Sequence, residues 1–156
     1  MILVSSCLAG MKVRYNGTDS LDETICRLVR EQKAVTACPE LMGGFTTPRE
    51  PAEIIGGTGE DVLDGRAVVV ERSGREVTEL YVRGAYAALE LAKSVQATLV
   101  VLKENSPSCG SKQIYDGSFS ARKIGGNGVT AALLLREGYP VISEEELPDY
   151  LERQLS

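Results

Sequence analysis

Apolar positions along this chain fall into two patterns, short unbroken runs and stripes at helical spacing. The runs are Met1 to Ser6, Ala34 to Ala37, Ala67 to Val70, Thr98 to Leu102 and Val141-Ile142, and they read as buried strands. The stripes read as helices. Leu21, Ile25, Leu28 and Val29 mark one helix running through Arg30, with Asp19 or Ser20 as its cap. Tyr81, Ala85, Ala88, Leu89 and Ala92 mark a longer one, from a Thr78 cap to about Val95, in which Gly84 is a weak point. Thr130 to Leu135 is a third, and Ser143 with Glu146 forms a capping box for a closing helix. A helix leading into the buried run at residues 98–102 fits a right-handed crossover in a parallel sheet. The expectation is an α/β fold: a single-domain three-layer sandwich over residues 1–156, with a mostly parallel, Rossmann-like sheet.

The remaining segments read as loops. Leu8-Ala9-Gly10 and Tyr15-Asn16-Gly17 are turn signals, and Pro39 forbids a continued helix or central strand after Cys38. Residues 43–59 form a long irregular connection, and such loops in compact domains are usually functional. A second irregular stretch, Ile114 to Ser120, precedes Arg122-Lys123 and the cluster Gly125-Gly126-Asn127-Gly128 at a helix start. That cluster fits either an anion site or a tight turn.

Composition narrows the chemistry. At 156 residues, 43% hydrophobic and 25% charged, the chain suits one soluble domain without a disordered segment. A net charge of −5 argues against a non-specific nucleic-acid binder. The start is apolar from residue 2 without a basic region, and no apolar run approaches the ~20 residues that span a bilayer. A cytoplasmic protein with no membrane partner is expected, its four cysteines reduced, metal-bound or catalytic. Histidine is absent, so no Ser-His or Cys-His pair exists. Proton transfer falls to carboxylates, Lys, Tyr or hydroxyls.

Three of the cysteines share a placement. Cys7, Cys38 and Cys109 each follow an apolar run, where open α/β sheets gather their ligands, whereas Cys26 lies inside a helix beside its apolar face and reads as a small core residue. Structural zinc wants four Cys or His ligands, often in close pairs, and a redox dithiol wants Cys-x-x-Cys. Neither pattern is present. Spacing alone leaves an iron–sulfur cluster with one open iron beside ordinary buried thiols.

Several stretches together carry a resemblance. Cys7-Leu8-Ala9-Gly10 with Val13-Arg14-Tyr15-Asn16-Gly17, Cys38-Pro39-Glu40, Gly43-Gly44 with Thr47-Pro48-Arg49, Lys103 to Gly110, and Ile114-Tyr115-Asp116-Gly117 resemble the thiouracil desulfidase family over nearly the whole chain. One departure is Thr46, where the family more often shows proline. The resemblance implies a [4Fe-4S] cluster on three cysteines, matched by position to Cys7, Cys38 and Cys109, with a carboxylate and a serine as acid/base partners, placed on Glu40 and Ser106. It implies a thio-nucleobase such as 2-thiouracil as substrate, its thiocarbonyl becoming a carbonyl with release of sulfide. This stand-alone form points to a small molecule over RNA. The other readings are a non-enzymatic iron–sulfur or metal-binding carrier or sensor, and a nucleotide-binding protein using Gly125 to Gly128. For the residues themselves, Glu40 can instead pair with a surface cation and Ser106 can simply cap a turn.

Overall fold

The computed structural model describes residues 1–12, 14–17 and 21–155. In chain order the elements are β1 (Ile2–Ser5), a 3-10 turn (Ser6–Ala9), α1 (Glu23–Arg30), β2 (Ala34–Ala37), α2 (Pro39–Met42), β3 (Ala52–Ile55), α3 (Gly59–Leu63), β4 (Val68–Glu71), α4 (Thr78–Ser94), β5 (Leu99–Leu102), β6 (Gln113–Tyr115), β7 (Lys123–Gly125), α5 (Val129–Arg136), β8 (Val141–Ser143) and α6 (Leu147–Leu155).

Four of the five apolar runs pair as a wholly parallel sheet in the order β2-β1-β5-β8. Successive side chains leave a strand on opposite faces, so each run feeds two cores. Leu3, Val100 and Leu102 pack on one side with Ala85, Leu89, Ala131 and Leu134 of α4 and α5. Val4, Leu99 and Val101 pack on the other with Ile25, Leu28 and Leu147 of α1 and α6. These are the three layers expected. The chain moves from β1 to β2 on one side and then to β5 on the other, so the order reverses at β1. That reversal opens a crevice beyond the carboxyl ends of β1 and β5.

Several expectations are corrected. The run at residues 67–70 stays out of the parallel sheet: β4 pairs antiparallel with β3, Ile54 opposite Val69, inside the stretch expected to be irregular. Residues 111–128 likewise contain an antiparallel hairpin, Ile114 opposite Ile124. Pro39 starts a helix rather than forbidding one, because the first helical position needs no amide donor. Asp22 caps α1, its carboxylate accepting from Ile25 N at 3.1 Å, while Asp19 and Ser20 lie outside the described residues. Thr78 is the first residue of α4, not its cap, and its hydroxyl accepts from Val69 N at 3.0 Å, tying the helix to β4. Only half of the Ser143–Glu146 box forms. Ser143 N donates to Glu146 at 3.2 Å, but the buried Ser143 hydroxyl has no partner among the described residues.

Gly84, a weak point by helix propensity, turns out to be a packing requirement. A Cβ on Gly84 would lie 2.0 Å from Pro39 O, and one on Gly43 would lie 2.1 Å from Leu80 O. Only two facing glycines let α2 come this close to α4, and α2 carries Glu40 directly after Cys38. Gly84→Ala is therefore expected to cost about 3 kcal/mol, since neither backbone can move locally, and a urea titration reads it as a lowered midpoint.

Candidate functional site

A cavity of about 420 Å³ occupies the crevice at the strand ends, within the range of small-molecule sites. Cys7, Cys38, Cys109, Glu40 and Ser106 all line it. Cys7 sits in the 3-10 turn after β1, Cys38 is the residue before α2, and Cys109 lies in the loop after β5. Cys26 does not line the cavity. It is half-buried on α1, with Sγ 4.0 Å from Leu8 O.

The loop bearing Cys109 is anchored from three directions. The Ser106 hydroxyl accepts from Ser108 N at 3.0 Å and from Cys109 N at 3.1 Å. Helix α5 begins against it: Gly128 N donates to Gly110 O, Val129 N to Pro107 O and Thr130 N to Ser108 O, at 2.8–2.9 Å. A Cβ on Gly128 would meet the Ser108 carbonyl carbon at 2.5 Å. The glycine cluster is thus a packing turn. The amides that an anion would need already serve this loop.

The third anchor is Glu104, a buried carboxylate whose role the sequence did not reveal. Its Oε1 accepts from Asn105 N, Ser111 N, Lys112 N and Gln113 N at 3.0–3.3 Å, and Oε2 accepts from the Ser111 hydroxyl at 3.2 Å. Burial works to raise this carboxyl, but the amides of Gln113, Lys112 and Asn105 and the Ser111 hydroxyl outweigh it and hold the group below its ordinary value. A carboxyl depressed in the folded state stabilises the fold above its unfolded value, and this is lost as pH falls through the lower folded one. Glu104→Gln is therefore expected to cost about 1.5–3 kcal/mol near neutral pH. The gap between variant and wild-type urea midpoints should narrow as the pH is lowered below about 4.5.

Beside the thiols lies Glu40. The buried Tyr81 hydroxyl donates to its Oε2 at 2.9 Å, and Arg49 Nε meets the same oxygen at 3.3 Å. In the sequence Tyr81 belongs to a core stripe, and Arg49 carries no assigned role. The available signal was the hydroxyl itself, since a tyrosine on an apolar stripe must still satisfy its O–H. Ser106 does cap a turn, whereas the cation that Glu40 pairs with, Arg49, is buried rather than on the surface.

Burial dominates the thiols. It raises Cys7 to about 11, helped by the neighbouring Cys38 and opposed by Lys103 and Arg14. Cys38 is raised by burial, against amide hydrogen bonds from Leu41 and Glu40, and Cys109 is pushed far up by burial and by Glu40. Cys38 adds to the rise at Cys7, and Cys38 and Cys7 add to the rise at Cys109, so a cationic group among the three favours their thiolates. Among the described residues, no three Cys, Asp or Glu side chains converge closely enough to hold one metal ion. Three soft thiols around one cavity suit a larger, thiophilic, positively charged group, and an iron–sulfur cluster meets all three conditions.

Comparison with known proteins agrees. A family model described as 2-thiouracil desulfurase matches residues 2–146. YbbK of Bacillus subtilis (strain 168), an uncharacterized protein, is 65% identical over 151 residues, spanning 97% of this chain and 100% of its own length. A solved structure described as the [4Fe-4S]-dependent thiouracil desulfidase TudS superposes with a TM-score of 0.85 at 42% identity, over 99% of this chain and 98% of that one. The resemblance read from the residues, the α/β fold and the iron–sulfur cofactor it implied all find support in these matches. This chain belongs to the 2-thiouracil desulfurase family.

Proposed function

We propose that this chain is a hydrolytic desulfidase that converts the thiocarbonyl of a thio-nucleobase such as 2-thiouracil into a carbonyl, with Cys7, Cys38 and Cys109 holding a [4Fe-4S] cluster. One observation carries the proposal: the three strand-end thiols, Glu40 and Ser106 line a single cavity at the switch point of the sheet. When bound there, such a cluster supplies a soft Lewis acid suited to thiocarbonyl sulfur. The overall change takes up one water and releases one hydrogen sulfide, so no electrons are required.

The chain's own residues handle the protons. Glu40 takes a proton from the water that adds to the thiocarbonyl carbon. Ser106 acts as a donor, because two amide bonds already use both acceptor positions of its hydroxyl and leave its proton available. A cavity of about 420 Å³ favours a free base or similarly small molecule. Reduced thiols make the cytoplasm our proposed compartment.

The test is anaerobic reconstitution with iron and sulfide, followed by incubation with 2-thiouracil. Catalytic formation of uracil supports the proposal. A stable cluster without turnover assigns the protein to the carrier or sensor class instead.

A further inference from the structure

Glu40 stands on a helix of only four residues, and such a short support does not by itself hold a long carboxylate side chain in one orientation. We infer that Tyr81 and Arg49 are positioning residues that select which oxygen of Glu40 does the proton transfer. The inference deepens the reading of Glu40 as base and rests on it.

Both donors fall on one oxygen. The Tyr81 hydroxyl lies 2.9 Å from Oε2 and Arg49 Nε lies 3.3 Å from it, while Oε1 has no hydrogen-bond partner among the described residues. Arginine commonly forks over both oxygens of a carboxylate. Here Nη1 turns instead to Thr46 O at 3.4 Å and Thr47 Oγ1 at 3.3 Å, which fixes the guanidinium to its own loop. The side chain of Arg49 is only 6% exposed and that of Glu40 15%. Two donors from separate elements thus hold Oε2 and leave Oε1 to accept a proton from water.

The holders are themselves held. Tyr81 is 2% exposed, and the Phe45 ring meets it edge-on with centroids 5.1 Å apart. Burial and the adjacent Glu40 charge keep the phenol protonated, so it remains a donor. The Gly43 and Gly84 contact sets α2 against α4, the helix that carries Tyr81, and so fixes the distance this bond spans. A packing role alone would be filled by phenylalanine at position 81. The hydroxyl is the part that needs another explanation, and the second donor on the same oxygen points to orientation.

Tyr81→Phe keeps the ring and removes one donor. In the reconstituted enzyme acting on 2-thiouracil, it should lower kcat about tenfold with KM within about twofold, and with iron content and cluster absorption unchanged. In a Glu40→Gln background the same substitution should change kcat no further, because the oxygen it orients no longer acts as a base. Arg49→Lys, which keeps charge but loses the rigid planar fork, should repeat the kcat loss and gives the inference a second test if Tyr81→Phe does not assemble. Wild-type kcat in both single variants overturns the inference, as does an equal fold-loss from Tyr81→Phe with and without Glu40. Full activity of Glu40→Gln alone overturns the underlying reading of Glu40, and is distinguishable because it needs neither Tyr81 nor Arg49 to be changed.

Discussion

Replacing Cys7, Cys38 or Cys109 with serine is expected to leave the anaerobically reconstituted protein with iron near background and without cluster absorption, whereas Cys26→Ser retains both. The contrast follows from placement. The first three thiols line one cavity at the ends of β1, β2 and β5, and Cys26 lies on α1 outside it. Burial raises all three, so as free thiols they stay protonated at neutral pH, and only a bound cationic group makes the thiolates favourable. A hydroxyl ligand is harder and much less acidic than a thiol, so serine forfeits that gain. Parallel circular dichroism separates loss of ligand from loss of fold. Equal iron loss in all four variants would defeat the assignment, as would retention of iron after any one of the three cavity substitutions.

Glu40→Gln is expected to keep the cluster and lower turnover by about 10² to 10⁴-fold, the range of a true general acid or base. The amide is nearly isosteric, so the Tyr81 and Arg49 bonds to Oε2 can persist through its carbonyl oxygen while the basic oxygen is lost. Structure and chemistry are thereby separated in one substitution. Iron content near wild type with turnover reduced supports Glu40 as the base, and unchanged turnover removes it from the mechanism.

The parts of the molecule legible in the sequence are those where one strong local signal dominates. Leu99 to Leu102 is buried throughout and reads as an apolar run, and the α4 stripe from Tyr81 to Ala92 is buried as its spacing implies. The strand-end cysteines follow from those runs, since a strand's end can be placed even when its partners cannot. Strand β3 and the β6–β7 hairpin were hidden for the opposite reason. β3 is four residues interrupted by Glu53, and β7 is three exposed residues, so neither has the apolar density that marks a strand. Their pairing is set by tertiary contacts, including Glu53, which accepts from Gly117 N at 2.9 Å and Phe119 N at 3.2 Å across 64 and 66 residues. The Glu104 anchor and the Tyr81 bond to Glu40 belong to the same class. Each joins positions whose proximity only the folded chain creates.

The central claim is hydrolysis rather than reduction, and oxygen labelling tests it most directly. The reconstituted protein is incubated anaerobically with 2-thiouracil in oxygen-18 water, and uracil and sulfide are followed together. The account predicts one labelled oxygen in the new carbonyl, sulfide in step with uracil, and no stoichiometric consumption of reductant. Unlabelled product, or a requirement for one equivalent of reductant per turnover, would contradict it.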